Sequence, residues 1–362
     1  MSSAANQEFL VYLGTSGAGE RDGIYIYRFQ TQAAALEPVD VVRGIHNPSF
    51  LAIHPNRRYL YAIDEGGSER PEAKVRAFAI DPASGRLTPI NHAATGGQGL
   101  CHVIVDRTGR FVLAVHYSGG SVCVLPVRPD GGVDPPSDVV QHEGSSVHPR
   151  QRSAHPHAIQ LDPAGRFAFV PDLGMDKIMI YRLTGDGKLA ANETPWAEVA
   201  PGAGPRHFAF HPGGRWAYVI NELGSTVTAF NYDSQRGALV EFQTITTLPD
   251  GFTGENYTAE IAVHPSGRFL YGSNRGHDSI AIFAVDAGTG RLSPLGHEPT
   301  QGGHPRHFAL DPTGTFLLAQ NRDSDNVVLF RIDRETGLLH PTGHVTRVPR
   351  PVCIQMMPAP WQ

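Results

Sequence analysis

The chain has 362 residues, of which 40 are glycine and 29 proline. With about one residue in five a backbone punctuator, long uninterrupted helices are excluded. A formal charge of −5 without a basic run gives nucleic-acid binding no electrostatic support, and no apolar stretch approaches the roughly 18 residues that a membrane-spanning helix needs.

The opening residues, MSSAANQEF, carry neither the basic start nor the apolar core of an export signal, so the expected compartment is the cytoplasm. Three short strands follow: Leu10-Val-Tyr-Leu13, Gly23-Ile-Tyr-Ile-Tyr27 and Pro38-Val-Asp-Val-Val42. From there one phrase recurs six times: an apolar strand, a polar-Pro-Gly turn, a second apolar strand ending in a polar cluster, then a third strand. The turns are His54-Pro55, Asp106 to Gly109, Asp162 to Gly165, His211 to Gly214, His264 to Gly267 and Asp311 to Gly314. Their spacing of roughly 50 residues is a propeller-like period, and their composition is that of a type I turn. In the clearest unit, Arg206–Phe210, Trp216–Ile220, Thr226–Phe230 and Val240–Thr244 form strands A to D, each rich in β-branched or aromatic residues.

The chain ends are incomplete units that complement each other. The N-terminal segments supply strands B, C and D, and Val352-Cys-Ile-Gln-Met356 supplies an A strand. Joining them closes a ring without an unpaired sheet edge. The expected fold is therefore all-β, a seven-bladed β-propeller whose C-terminal innermost strand joins three N-terminal strands. Length alone would suggest two domains at roughly 150 residues each; the repeat replaces that with one domain over residues 1–362.

Strand A runs antiparallel to B, so A-strand starts and B-strand ends open on one face. The first set brings His102, His155, His157, Arg206, His207, Asn256, Arg306 and His307; the second brings Glu65, His116, Asp172, Asn221, Glu222, Asn274, Arg275, Asn321 and Arg322. A mouth lined by Arg and His suits an anion, which guanidinium forks bind bidentately. The opposite face carries the turns, where His54, His211 and His264 read as structural caps, and the Asn and Asp after B strands also fit turn roles.

His155-Pro-His157 has the spacing of two metal ligands but no accompanying carboxylates, so no metal and no cofactor are expected. There is no Gly-x-Ser-x-Gly, His-Glu-x-x-His or Walker loop. Lysine occurs only at Lys74, Lys177 and Lys188, away from the mouth, which argues against Schiff-base chemistry. Cys101, Cys123 and Cys353 read as free thiols. The sequons at Asn192 and Asn256 read as chance matches.

Taken together, His155-Pro-His-Ala158, Gly204-Pro-Arg-His207, Val219-Ile-Asn-Glu-Leu223, Phe252-Thr-Gly-Glu-Asn256 and Ser273-Asn-Arg-Gly-His-Asp-Ser279 resemble the seven-bladed propeller lactonases. That family includes propeller-type 6-phosphogluconolactonases and fungal carboxymuconate lactonizing enzymes, and the resemblance covers nearly the whole chain. It implies an active cluster of one His, two Arg and a Glu, here His157 or His155, with His157 preferred, and Arg206, Glu222 and Arg275. It also implies hydrolysis of 6-phospho-D-glucono-1,5-lactone in the pentose phosphate pathway. His157 would be the base, Arg206 and Arg275 would serve oxyanion and phosphate, and Glu222 would orient an Arg or the His. His155, His102, His116, Asn256, Arg306 and His307 are expected to contact the substrate, a small anionic lactone. Two other readings are a carboxymuconate cycloisomerase and a non-catalytic interaction propeller; the polar, charged mouth disfavours the second.

Overall fold

The computed structural model describes residues 7–66 and 72–360; the part of the export-signal reading that rests on residues 1–6 lies outside them. Among the described residues, 28 strands form seven four-stranded antiparallel sheets arranged as the blades of a propeller. The unit read from the sequence as A to D consists of Pro205–Phe210, Trp216–Asn221, Thr226–Asp233 and Ala238–Thr246, paired in that order. The ring closes as expected: Pro351–Pro358 lies innermost against Glu8–Thr15, followed outward by Ile24–Gln30 and Ala35–Val42. In that closure Phe9 faces Pro358 and Leu13 faces Ile354.

Apolar side chains are buried between the flat faces of neighbouring blades, not at the centre. Trp216, Tyr218 and Val227 of one blade, for example, pack against Leu270, Ala281 and Phe283 of the next. Burial of this apolar area drives the blades together, and it leaves the axis lined only by innermost strands.

In all six turns the N–H of the fourth residue donates to the carbonyl of the first at 2.8–2.9 Å. The capping roles of the turn histidines are visible. The Nδ1 atoms of His54, His211 and His264 accept backbone N–H bonds from Asn56, Gly213 and Ser266. That leaves the proton on Nε2, which donates to the carbonyls of Gly109, Gly267 and Gly314 in the next blade's turn, at 2.8–3.0 Å. Gly109 has φ +73°, and a Cβ there would lie 2.3 Å from the His54 ring, so conformation and contact both demand glycine.

A second set of clamps joins the blades further out. The hydroxyls of Tyr12, Tyr61, Tyr218 and Tyr271 donate to the carbonyls of Gly85, Gly131, Gly290 and Gly337 in the following blade, at 2.8–3.0 Å. Removing one hydroxyl leaves a buried carbonyl unpaired, which costs about 1–3 kcal/mol. Tyr218→Phe is therefore expected to lower the urea midpoint by that equivalent with an unchanged m-value; an unaltered midpoint would show that the clamp contributes nothing.

Candidate active site

Strict alternation along a strand would send Arg206 and His207, or Arg306 and His307, to opposite sides. Five innermost strands instead break register at their mouth ends, between Leu100 and His102, Pro205 and His207, Thr258 and Ile261, Pro305 and His307, and Pro351 and Cys353. A bulge of this kind re-aims side chains at the end of a ladder. As a result Arg206, His207, Arg306 and His307 all line one depression, together with His157 and Phe50. His157 reaches it from an irregular segment: its blade's innermost strand is only Gln160–Leu161, preceded by an isolated bridge between Pro156 and Asp172.

Glu222 is the hub of the cationic cluster. Its Oε2 accepts from Arg206 Nε and pairs with Arg275 Nη2, both at 2.9 Å, while Oε1 pairs with Arg150 Nη2 at 2.7 Å. Backbone carbonyls complete the guanidinium positions: Arg206 Nη1 donates to Ala259 at 2.8 Å, and Arg275 Nη2 to Thr258 at 2.7 Å. Burial alone would push the Glu222 carboxyl up, but Arg275, Arg206 and Arg150 outweigh it and hold the carboxyl well below the usual carboxylate range. Glu222 is thus a fixed anion and no proton acceptor. Burial, then Arg306 and Arg275, push the Arg206 guanidinium down from its ordinary value, yet it stays charged at neutral pH. The Gly204-Pro-Arg-His207 motif sets this geometry, because the Glu222 N–H donates to the Gly204 carbonyl at 2.7 Å. Gly204 has φ +66°, and a Cβ there would lie 2.7 Å from Leu223.

Arg306 differs from its neighbours. It makes no hydrogen bond or ion pair among the described residues, although it faces the same depression as Arg206 and His157. The Glu65 carboxylate acts on it only through space, so its guanidinium forks remain open to a partner.

Beneath the depression lies a layer of imidazoles. His207 Nδ1 is 3.0 Å and His307 Nε2 is 3.1 Å from the same Oε2 of Glu260. The rings of His102 and His157 each lie 5.4 Å from that of His207. Burial lowers the pKa of all four imidazoles, to about 4 for His307, so all are neutral near pH 7. On the far side of this layer an axial cavity of about 730 Å³ runs to the turn face, where Arg107, Asp162 and His211 border it. Among the described residues, no group of three or more His, Cys, Asp or Glu is arranged to hold a metal ion.

The structure places three of the expected substrate contacts away from the mouth depression. His116 is fully buried, with Nε2 on Thr95 Oγ1 at 2.8 Å and Nδ1 on Ser121 Oγ at 2.9 Å, so it has no nitrogen left for a ligand. Asn256 spends its amide on Ser225, Asn274 and the His277 N–H. His102 faces the axial cavity, under Phe50 at a ring distance of 4.0 Å. A rule emerges from the first of these: at B-strand ends, His116, Asn274 and Asn321 bond to Thr95, Thr247 and Thr300 just past the preceding blade's outer strand. They are blade connectors. His155 sits at the rim, stacked on Tyr117 at 4.6 Å with Nδ1 on the Tyr117 carbonyl. Lys177 lies over Trp196 on the outer strands, far from the cluster.

Two residues that the structure joins to this cluster escaped the sequence reading. Arg150 belongs to the connection 144–153, where nothing in the sequence separates it from any exposed arginine; it is over a third exposed and reaches Glu222 and the Tyr117 hydroxyl. Glu260 left a usable signal, a carboxylate in the middle of the innermost strand Tyr257–Val263.

A propeller with a buried Arg–Glu–Arg cluster at its mouth defines a class, and the sequence comparisons identify it. The family model described as lactonase, 7-bladed beta-propeller, matches residues 10–356, and the chain belongs to that family. It is 39% identical over 301 residues to the 6-phosphogluconolactonase of Bacillus subtilis, covering 83% of this chain and 84% of that one. With the 6-phosphogluconolactonase of Formosa agariphila it shares 36% identity over 292 residues, 79% and 81% of the two chains. The solved periplasmic gluconolactonase of Pseudomonas aeruginosa matches with a TM-score of 0.92 at 33% identity, covering 97% of this chain and 99% of that one.

Proposed function

We propose that the protein hydrolyses a sugar-acid lactone, foremost 6-phospho-D-glucono-1,5-lactone, as a single domain over residues 1–362 that needs no metal or cofactor. The observation that carries this reading is the pairing of a rigid, carboxylate-locked cation cluster with one cation, Arg306, that no hydrogen bond or ion pair among the described residues holds. Arg206, fixed by Glu222 and the Ala259 carbonyl, presents a guanidinium to the oxyanion that forms when water attacks the lactone carbonyl. Arg275, locked in the same way, supports it. Arg306 takes the substrate's phosphate, since no carboxylate among the described residues forms an ion pair with it and only the more distant charge of Glu65 acts on it. The base is one of the neutral imidazoles of the mouth, His157 by family resemblance. Three unpaired cysteines support a reducing compartment, the cytoplasm.

The test is hydrolysis by pure protein, with a chelator present, measured against the spontaneous rate on phosphorylated and unphosphorylated gluconolactone. Arg306→Ala is expected to lower kcat/KM on the phosphorylated lactone by about 10–100-fold, the worth of a charge-assisted contact of about 1.5–3 kcal/mol. It should leave the unphosphorylated lactone within about threefold, because that substrate never used the contact. Equal losses on both substrates would move Arg306 from phosphate binding to the chemistry. No acceleration by the parent protein would remove the lactonase reading, and decay of muconate absorbance would then point to the cycloisomerase.

A further inference from the structure

The geometry points to His207, oriented by Glu260, as the general base that activates the hydrolytic water. The inference rests on the lactonase reading and departs from the family resemblance, which places that role on His157.

A base needs a free lone pair at the reacting centre, a fixed tautomer and a group that stabilises the imidazolium as it forms. His207 has all three. Glu260 Oε2 lies 3.0 Å from Nδ1, so the ring proton sits there and the lone pair is on Nε2, which makes no hydrogen bond among the described residues. The ring is 4% exposed but lines both the mouth depression and the axial cavity, so a water held in either space can meet it. Its neutrality near pH 7, caused by burial and then by Arg206 and Arg306, keeps the lone pair available. Glu260 is itself held by the Ser273 hydroxyl through its N–H at 2.9 Å, and the Ile261 N–H donates to its Oε1 at 3.0 Å. His157 lacks this support: its Nδ1 is buried without a hydrogen-bond partner, and no carboxylate holds the ring. Glu260 acts only through His207 and is therefore a positioning residue.

The proposed step balances simply. His207 Nε2 takes a proton from water as the water oxygen bonds to the lactone carbonyl carbon, and Arg206 holds the resulting oxyanion. When the carbonyl re-forms, the ring C–O bond breaks and the ring oxygen takes the proton back from Nε2. The acid product then loses its own proton to solvent.

The experiment compares parent, His207→Ala, His157→Ala, Glu260→Gln and Glu260→Asp on both gluconolactones. His207→Ala should lower kcat by about 10²–10⁴-fold on both substrates with KM little changed, and added imidazole should restore part of it. Glu260→Gln keeps the shape but offers the His207 Nδ1 an amide N–H, favouring the wrong tautomer; it should lose about 10–100-fold in kcat, with Glu260→Asp recovering part. Nitrogen NMR of the histidine rings in the intact parent supplies a check that needs no variant: His207 should carry its proton on Nδ1. An Nε2–H tautomer overturns the assignment, as does a His207→Ala protein within about threefold of an active parent while His157→Ala collapses. An inactive parent overturns the lactonase reading and this assignment with it.

Discussion

Glu222→Gln is expected to be the most damaging single-atom change in the protein, acting on stability and rate together. Three guanidiniums converge on that carboxylate, and Arg206 and Arg275 are buried with it. Removing the anion leaves two buried cations repelling each other, and breaking a buried pair from one side typically costs about 3–5 kcal/mol. On the proposed reading the same change also frees Arg206 from the position in which it would meet the oxyanion, a contact of the type worth about 10²–10³ in rate. Urea unfolding and lactone hydrolysis measure the two effects. Arg150→Ala is the useful contrast, because Arg150 is over a third exposed and its loss leaves Glu222 paired with Arg206 and Arg275, so no buried charge is stranded. If Glu222→Gln were no worse than Arg150→Ala, the carboxylate would not be the organiser of the site.

Stability should fall steeply between about pH 6.5 and pH 4. His116 and His307 are held down to about 4 by burial, and His102, His157 and His207 lie well below their ordinary value for the same first cause. In this window the unfolded chain binds protons that the native state refuses, so acidification favours unfolding. A group moved from about 6.5 to about 4 loses about 3 kcal/mol across it, so His116 and His307 alone account for roughly the whole stability of a marginal domain. The depressed carboxyl of Glu222 works in the same direction at lower pH, whereas Glu260, pushed up by burial, works weakly against the trend. Free energies of unfolding from urea titrations at a series of pH values check this. A flat profile from pH 7 to 4.5 would mean that the imidazoles take up protons alike in the native and unfolded states, so that burial does not hold them neutral.

The blades were legible because they repeat: six polar-Pro-Gly turns fixed the strand order, and the unmatched ends told where the ring closes. The mouth was legible to the level of which residues stand at strand ends, which is enough to gather His157, Arg206, Glu222 and Arg275. What the pattern cannot show is direction. His116 and Glu222 both stand at B-strand ends, yet one points into a neighbouring connection and the other into the cluster. The register breaks beside His102, His207, Glu260 and His307 leave no compositional mark, since no glycine or proline is needed at the extra residue. That is why Glu260, plain in the sequence, went unread as part of the site. Arg150 was hidden for another reason: its position depends on a connection pinned by Gln151 to Asp176 and Leu173, contacts between segments distant in the pattern.

The closing sheet joins Pro351–Pro358 to Glu8–Thr15, stretches that lie almost the full chain length apart. During synthesis the first three strands emerge with one edge bare and stay so until the last strand arrives. A contact this remote in sequence forms late and pays the largest loop-closure entropy in the molecule. The nascent protein therefore spends its growth as an open arc with a sticky seam, the condition in which strands of separate copies pair. Completion of the ring is also what fixes the angle between first and last blades, so the mouth acquires its final shape only with the final strand.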